Sequence, residues 1–220
     1  MGKLSSTLTI TLLIAVNTLS GPKTVEAQAQ SSRSEIVMEA VEGFTLREIG
    51  PAVMGGRIAD IAVHPHKSST WYLAVGSGGV WKTTNAGITW TPVFDDQSVY
   101  SIGDISLDPS NPDVVWVGTG ENVSGRHVGW GDGVYRSRNG GESWENMGLT
   151  DSQHIGKILV DPRDSDVVFV AAEGPLWSDG GDRGLYKTSD GGDTWRAVLE
   201  IDARTGVTDM EFAPGNPDVI

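Results

Sequence analysis

Apolar positions along this chain come in short runs broken by Gly, Pro, Asn and Asp, a punctuation that predicts strands and turns rather than amphipathic helices. Four runs share one outline. Ile58, Ile102, Ile155 and Val207 each open a stretch that reaches a Pro seven positions later, at Pro65, Pro109, Pro162 and Pro214. Inside the first three, Ile61 and Val63, Ile105 and Leu107, and Ile158 and Val160 alternate as one core-facing side. A second run follows, Leu73-Ala74-Val75-Gly76, Val115-Trp116-Val117-Gly118 and Phe169-Val170-Ala171. The third reads Gly-apolar-aromatic-basic-hydroxyl, at Gly79-Val80-Trp81-Lys82-Thr83, Gly133-Val134-Tyr135-Arg136-Ser137 and Gly184-Leu185-Tyr186-Lys187-Thr188. Trp90, Trp144 and Trp195 each stand eleven residues after that Gly.

The starts lie 44, 53 and 52 residues apart, close to the roughly 40–50 residues of a four-stranded propeller blade. The predicted fold is therefore all-β, a β-propeller of four-stranded antiparallel blades with strands A to D running outward. It is incomplete: blades at about 56–100, 101–153 and 154–205, and the truncated start of a fourth at 206–220. The segment Phe44–Ile49 is expected to act as a D strand for a final blade outside this sequence, closing the ring.

Each third landmark leads to its Trp through one turn: Thr83-Thr84-Asn85-Ala86-Gly87-Ile88-Thr89-Trp90, Ser137-Arg138-Asn139-Gly140-Gly141-Glu142-Ser143-Trp144 and Thr188-Ser189-Asp190-Gly191-Gly192-Asp193-Thr194-Trp195. Asn or Asp folds back onto the turn, the Ser or Thr hydroxyl does likewise, Gly takes a positive φ, and Trp covers the hairpin. Thr83, Asn85, Gly87 and Trp90, Ser137, Asn139, Gly141 and Trp144, and Thr188, Asp190, Gly192 and Trp195 are thus expected to be structural. These turns resemble the Asp-box of the bacterial neuraminidase repeat, Ser/Thr-x-Asp-x-Gly-x-Thr-Trp, with Asn for Asp in two copies.

Charge and composition narrow the partners. The 220 residues carry 29 acidic and 16 basic side chains, a net −13, which argues against nucleic acid or an anionic membrane surface. With no Cys, disulfides, thiol nucleophiles and Cys-ligated metals are excluded. Lys3, the apolar run Leu8–Val16 and the small-residue pattern Ala27-Gln28-Ala29 predict a signal peptide over 1–29, a polar linker over 30–43, and export without membrane insertion after signal removal. No cofactor or metal is expected. Asp179 and Asp182 are too few ligands for calcium, and the Gly-rich stretches 118–121 and 129–133 lack the strand–loop–helix setting of a phosphate cradle.

Antiparallel order places A–B turns and C–D hairpins on one face, and B–C and D–A connections on the other. The B–C connection alone varies strongly in length, so the second face is the expected functional rim. It collects Arg57, Arg126, His127, Trp130, His154, Trp177 and Arg183 as candidate ligand contacts for a glycan or peptide, by ring stacking and charged hydrogen bonds. Asp60, Asp104, Glu121 and Asp132 are the candidate catalytic carboxylates. For Asp60, Asp104 and Asp209 the shared position favours a repeated structural role, capping or bridging neighbouring inner strands, and for His154 an ordinary mouth or core position is favoured over a general base.

From Gly43 onward the chain resembles Asp-box propellers of the sortilin N-terminal type and exported bacterial glycosyl hydrolase-like proteins. The resemblance is carried by Ile49-Gly50-Pro51, Gly55-Gly56-Arg57-Ile58, Gly78-Gly79-Val80-Trp81-Lys82-Thr83, Gly118-Thr119-Gly120-Glu121 and Gly148-Leu149. It implies six to ten blades in all, and for the related xyloglucanases a catalytic Asp three residues before the second Gly of the first-blade Gly-Gly pair. That position is Gly76 here. The three Arg that sialidases use for a carboxylate have no counterparts at matching positions. The expectation is an extracellular recognition scaffold for glycan or peptide. The alternatives are a glycoside hydrolase using rim carboxylates, and a protein assembly or sorting factor.

Overall fold

The computed structural model describes residues 57–123, 125 and 128–220. The expected signal peptide, the linker, the strand Phe44–Ile49, Arg126 and His127 lie outside them. Twelve strands and no helix occur among the described residues. The first blade holds β1 (Ile58–Val63), β2 (Trp71–Val75), β3 (Gly79–Thr83) and β4 (Thr91–Pro92). The second holds β5 (Ile102–Leu107), β6 (Val115–Thr119), β7 (Val134–Ser137) and β8 (Glu145–Asn146). The third holds β9 (Ile155–Val160), β10 (Val168–Ala172), β11 (Gly184–Thr188) and β12 (Arg196–Leu199). Each sheet is an antiparallel meander in chain order, so the chain is an incomplete β-propeller.

The same register recurs in all three blades. The hydroxyl residue ending strand C lies opposite the first residue of strand B: Trp71 with Thr83, Val115 with Ser137, Val168 with Thr188. Each inner strand carries a bulge near its start, around Ala59, Gly103 and Gly156, and a bulge re-aims the side chain that follows it. Glycine is required at two of these sites by close approach. A Cβ on Gly103 would lie 2.1 Å from the Ile155 carbonyl oxygen, and one on Gly156 2.1 Å from that of Thr208.

The apolar core sits in the seams between blades. Tyr72, Phe94, Ile102, Ile105, Val117 and Tyr135 fill the first seam, and Trp116, Met147, Ile155, Ile158, Val170 and Tyr186 the second. At about 1.5–3 kcal/mol per large side chain buried, these seams dominate the stability of the assembly. Two expectations need correction. Ile61 and Val63, expected in a core, are each 51% exposed, because no blade packs on that side of β1 among the described residues. The run Val207–Pro214 forms no strand: Val207 donates to the Ala172 carbonyl, but its own hairpin is held only around Ala213 N→Val219 O and the Ala213–Asn216 bridge, too little for a ladder.

The C–D hairpins are built as their residue types demand. Thr83 Oγ1, Ser137 Oγ and Thr188 Oγ1 each accept from the Gly amide four residues on, at 2.8–2.9 Å. The Asn85, Asn139 and Asp190 side chains each accept from the amide of the hydroxyl residue before the Trp, at 2.9–3.0 Å. In the Asn copies the amide donates to that residue's hydroxyl; in the Asp copy the Thr194 hydroxyl donates to Asp190 Oδ2 at 2.6 Å. The Thr188 hydroxyl, donating to Asp190 Oδ1 at 2.6 Å, holds the Asp190 carboxyl down at about 2 together with the Thr194 hydroxyl and amide.

The hairpins also cross the seams. Trp144 Nε1 donates to the Val93 carbonyl at 2.6 Å, and Trp195 Nε1 to the Met147 carbonyl at 2.7 Å, in each case in the preceding blade. In return, Lys82 Nζ donates to the Gly140 carbonyl at 2.8 Å, Tyr72 Oη to the same oxygen at 3.0 Å, and Arg136 Nη1 to the Gly191 carbonyl. Each basic residue lies over the aromatic ring opposite it on strand B: Lys82 on Tyr72, Arg136 on Trp116 and Lys187 on Phe169, at 5.1–5.5 Å from the centroid. Replacing Trp195 by Phe keeps the ring and removes one cross-blade hydrogen bond. The expected loss is about 1 kcal/mol, read by urea denaturation, with Trp144→Phe giving a similar loss at the other seam.

Candidate functional site

The B–C connections fold onto the start of the inner strands, as their face required. Gly78 and Gly79 donate to the Tyr100 carbonyl, Gly120 to that of Ser101, and Glu173 to that of His154. The long loop after β6 is pinned along its length: Thr119 Oγ1 donates to the Gly133 carbonyl and accepts from the Asp132 amide, Glu121 N donates to the Gly129 carbonyl, and Gly131 N to that of Gln153. This loop delivers Glu121 across the first seam.

Glu121 is 2% exposed and fully engaged. Its Oε2 accepts from Arg57 Nη2 at 2.6 Å and from the Gly129 amide at 3.2 Å, and its Oε1 accepts from the Ser77 hydroxyl at 2.9 Å. A Cβ on Gly76 would lie 2.7 Å from Glu121 Oε1. The carboxylate of the second blade therefore fills the space that a side chain at Gly76, in the first blade, would occupy. His154 packs directly behind, with Nδ1 2.8 Å from the Glu121 carbonyl oxygen. It is completely buried, and burial lowers its pKa. Of the two places the sequence offered, His154 takes the core one rather than a ligand contact, and it positions the Glu121 backbone.

A second group lies along the inner strands. The bulge in β5 aims Asp104 at β9, where Oδ2 accepts from the Ile158 amide at 2.9 Å and Oδ1 from Lys157 Nζ at 2.8 Å. Lys157 Nζ also stands 3.5 Å from Asp60 Oδ2. Burial outweighs the lysine and pushes the Asp104 carboxyl up to about 7, while the two acidic partners raise Lys157. Asp104 thus bridges two blades, and Asp60, sharing the lysine, adds to the raise as a neighbouring acid. Asp209 Oδ1 accepts from the Met210 amide.

The remaining candidates divide. Trp130 and Trp177 are large rings left mostly exposed on the long loops. Trp177 borders a cavity of about 520 Å³ with Glu173, Asp179 and Arg204 on its walls. Burial raises the Glu173 carboxyl. Arg183, expected to meet a ligand, is buried with its guanidinium donating to the carbonyls of Glu173, Pro175, Ser178, Gly180 and Arg204. It lines the same cavity as Trp177 while shaping the third-blade loop from inside. Asp132 accepts from Tyr135 Oη at 2.9 Å beside Ser98, away from Glu121. Ser77, Glu173 and Arg204 were not among the sequence candidates; the length of the B–C loop that presents Glu173 was the available signal, and the short D–A connection carrying Arg204 gave none.

No family model matches the chain. Among curated proteins it is similar to the xyloglucanase Xgh74A of Acetivibrio thermocellus, 24% identical over 157 residues, covering 66% of this chain and 18% of that protein. It is similar to the oligoxyloglucan-reducing end-specific xyloglucanase of Emericella nidulans, 25% identical and covering 69% of this chain and 19% of that one. The xyloglucanase of Hypocrea jecorina is 24% identical, with 76% and 20% covered. The chain thus spans about a fifth of the length of these relatives. The crystal structure of an ancestral GH74 enzyme superposes with a TM-score of 0.51 at 21% identity, over 66% of this chain and 19% of that one, a likeness of fold.

Asp104 gives this region a pH signature. Its folded pKa lies above the ordinary 3.8, so between about pH 4 and 7 the folded state holds the extra proton and its stability falls as pH rises. Asp104→Asn is expected to flatten that limb of the stability–pH curve, measured by urea unfolding at fixed pH steps; an unchanged slope would place the buried proton elsewhere.

Proposed function

We propose that this chain is part of an exported, glycoside hydrolase-like Asp-box propeller that receives a β-glucan of the xyloglucan type across its B–C loop face. The reading is carried by the similarity to xyloglucanases running through two thirds or more of the chain. It is supported by the chemistry of that face, where exposed Trp130 and Trp177 offer rings to sugar faces near carboxylates that can take hydroxyl protons. Export follows from the apolar run Leu8–Val16 and the Ala27-Gln28-Ala29 pattern.

Hydrolysis needs one carboxyl as acid and a second as base or nucleophile. Glu121, held by Arg57, Ser77 and the Gly129 amide, is positioned as the acceptor, at the place where the resemblance to xyloglucanases expects an Asp and the chain has Gly76. Asp104, pushed up to about 7, has the proton affinity of an acid. A second reading, recognition without cleavage, is favoured by one observation: both carboxyls are buried and already bonded, Glu121 to Arg57, Ser77 and the Gly129 amide and Asp104 to Lys157 and the Ile158 amide.

The two readings separate on tamarind xyloglucan. If the protein cleaves, reducing ends accumulate, and Glu121→Gln lowers their release by about 100-fold or more while binding, followed by affinity electrophoresis, stays within a few-fold. Binding with no release by the wild-type protein leaves recognition as the function. Neither binding nor release removes the glucan from both.

A further inference from the structure

The three B–C connections leave their second strands at one backbone position and then diverge. Gly76 N donates to the Arg57 carbonyl, Gly120 N to that of Ser101 and Glu173 N to that of His154, so Gly76, Gly120 and Glu173 are counterparts. The first two positions have no room for a side chain: a Cβ on Gly76 would lie 2.7 Å from Glu121 Oε1, and one on Gly120 would run into the Gln153 carbonyl. The third carries a carboxyl. Glu173 is 9% exposed. No hydrogen bond or ion pair reaches its carboxyl oxygens among the described residues, and neither oxygen is sealed from solvent. The surface it keeps opens on the cavity of about 520 Å³ that it walls with Trp177, Asp179, Arg183, Arg204 and Thr208 among others.

The other charged groups of that wall are already engaged. Arg183 directs its guanidinium to five backbone carbonyls, and Arg204 Nε meets both oxygens of Asp179, at 3.1 and 3.2 Å. Burial alone raises the Glu173 carboxyl, with no guanidinium near enough to lower it. A buried carboxyl without a partner is held toward its neutral form, in which it both donates and accepts. Asp179 cancels Arg204 at the rim, and five carbonyl dipoles meet the Arg183 charge, so the wall favours an uncharged ligand over an ion. Beside it the Trp177 ring is 76% exposed.

From this arrangement we infer that the third-blade cavity is a subsite for one sugar ring of the glucan, stacked on the Trp177 indole with a hydroxyl bonded to the Glu173 carboxyl. The indole offers a flat apolar face to the C–H side of a pyranose, and a hydroxyl satisfies the carboxyl in either of its protonation forms. The volume lies within the roughly 300–1,000 Å³ of small-ligand pockets. The inference rests on the glucan reading and adds to it a specificity-determining residue, Glu173, at a subsite that shares no residue with the Glu121 and Asp104 groups.

The test pairs thermal melting with affinity electrophoresis of the whole protein in tamarind xyloglucan. Glu173→Leu removes a polar group that has no partner within the protein, so it is expected to melt no lower than the wild type while binding the glucan about tenfold more weakly or worse. Trp177→Ala, at an exposed ring, is expected to melt like the wild type and to lose binding to a similar degree. Either variant binding within about twofold of a wild type that binds overturns the subsite and leaves the glucan reading standing. A wild type that the glucan does not retard removes both. Should Glu173→Leu melt far below the wild type, Glu173→Ala is judged by the same criteria; if that variant also melts far below, the carboxyl holds the fold together and the subsite is overturned.

Discussion

The exchange of hydrogen bonds across each seam is the constraint on which the rest of the molecule depends. A C–D hairpin sends its Trp indole into a carbonyl of the preceding blade and offers a glycine carbonyl to that blade's Lys or Arg. The two bonds run in opposite directions between the same pair of blades, so they fix both the distance and the rotation of one sheet against the next. Apolar packing alone would allow a seam to slide, since burial is non-directional. The hairpin is therefore less a closure of its own sheet than the part that addresses the neighbouring one.

That fixed rotation is what brings residues of different blades together on the loop face. Asp104 reaches the Ile158 amide and Lys157 because the inner strands approach within the space that glycine leaves at 103. Glu121 meets Arg57 and Ser77 only because the second blade is held in register with the first. Every pair just named joins residues more than forty positions apart. Loosening a hairpin on one face would thus misplace carboxylates on the other, although none of the hairpin residues touches them.

The blades were legible in the sequence because their signals are local. A hydroxyl, an Asx residue, a glycine and a Trp at fixed spacing bond among themselves, so their roles can be read from one segment at a time, and the four strands follow from the runs between them. What was not legible depends on distant partners. The basic residue of the third landmark carried no local role, yet Lys82 and Arg136 find acceptors 58 and 55 residues away. His154 and Arg183 look like ligand-binding types and are buried against carbonyls, a distinction made only by loop geometry. Ile61 and Val63 follow the alternation of their counterparts and differ from them only in what stands beside the strand. The rim carboxylates fall between these cases: chain direction placed Glu121 and Asp104 on the right face, but not their partners.

The relation between Gly76 and Glu121 turns this limit into an argument. Read along the chain, glycine at 76 is only the absence of a side chain. Read in space, it is the condition for a different one, because any Cβ there would stand 2.7 Å from Glu121 Oε1. A glutamate reaching over from the next blade needs the extra length of its side chain, a Ser hydroxyl and an Arg to hold both oxygens, and a loop pinned by its own backbone, and all are present. The space that a glycine leaves in the first blade is taken by a carboxylate of the second. A comparison made position by position records only the glycine, whereas in space a held acceptor stands beside the first B–C turn, built by residues on both sides of the seam.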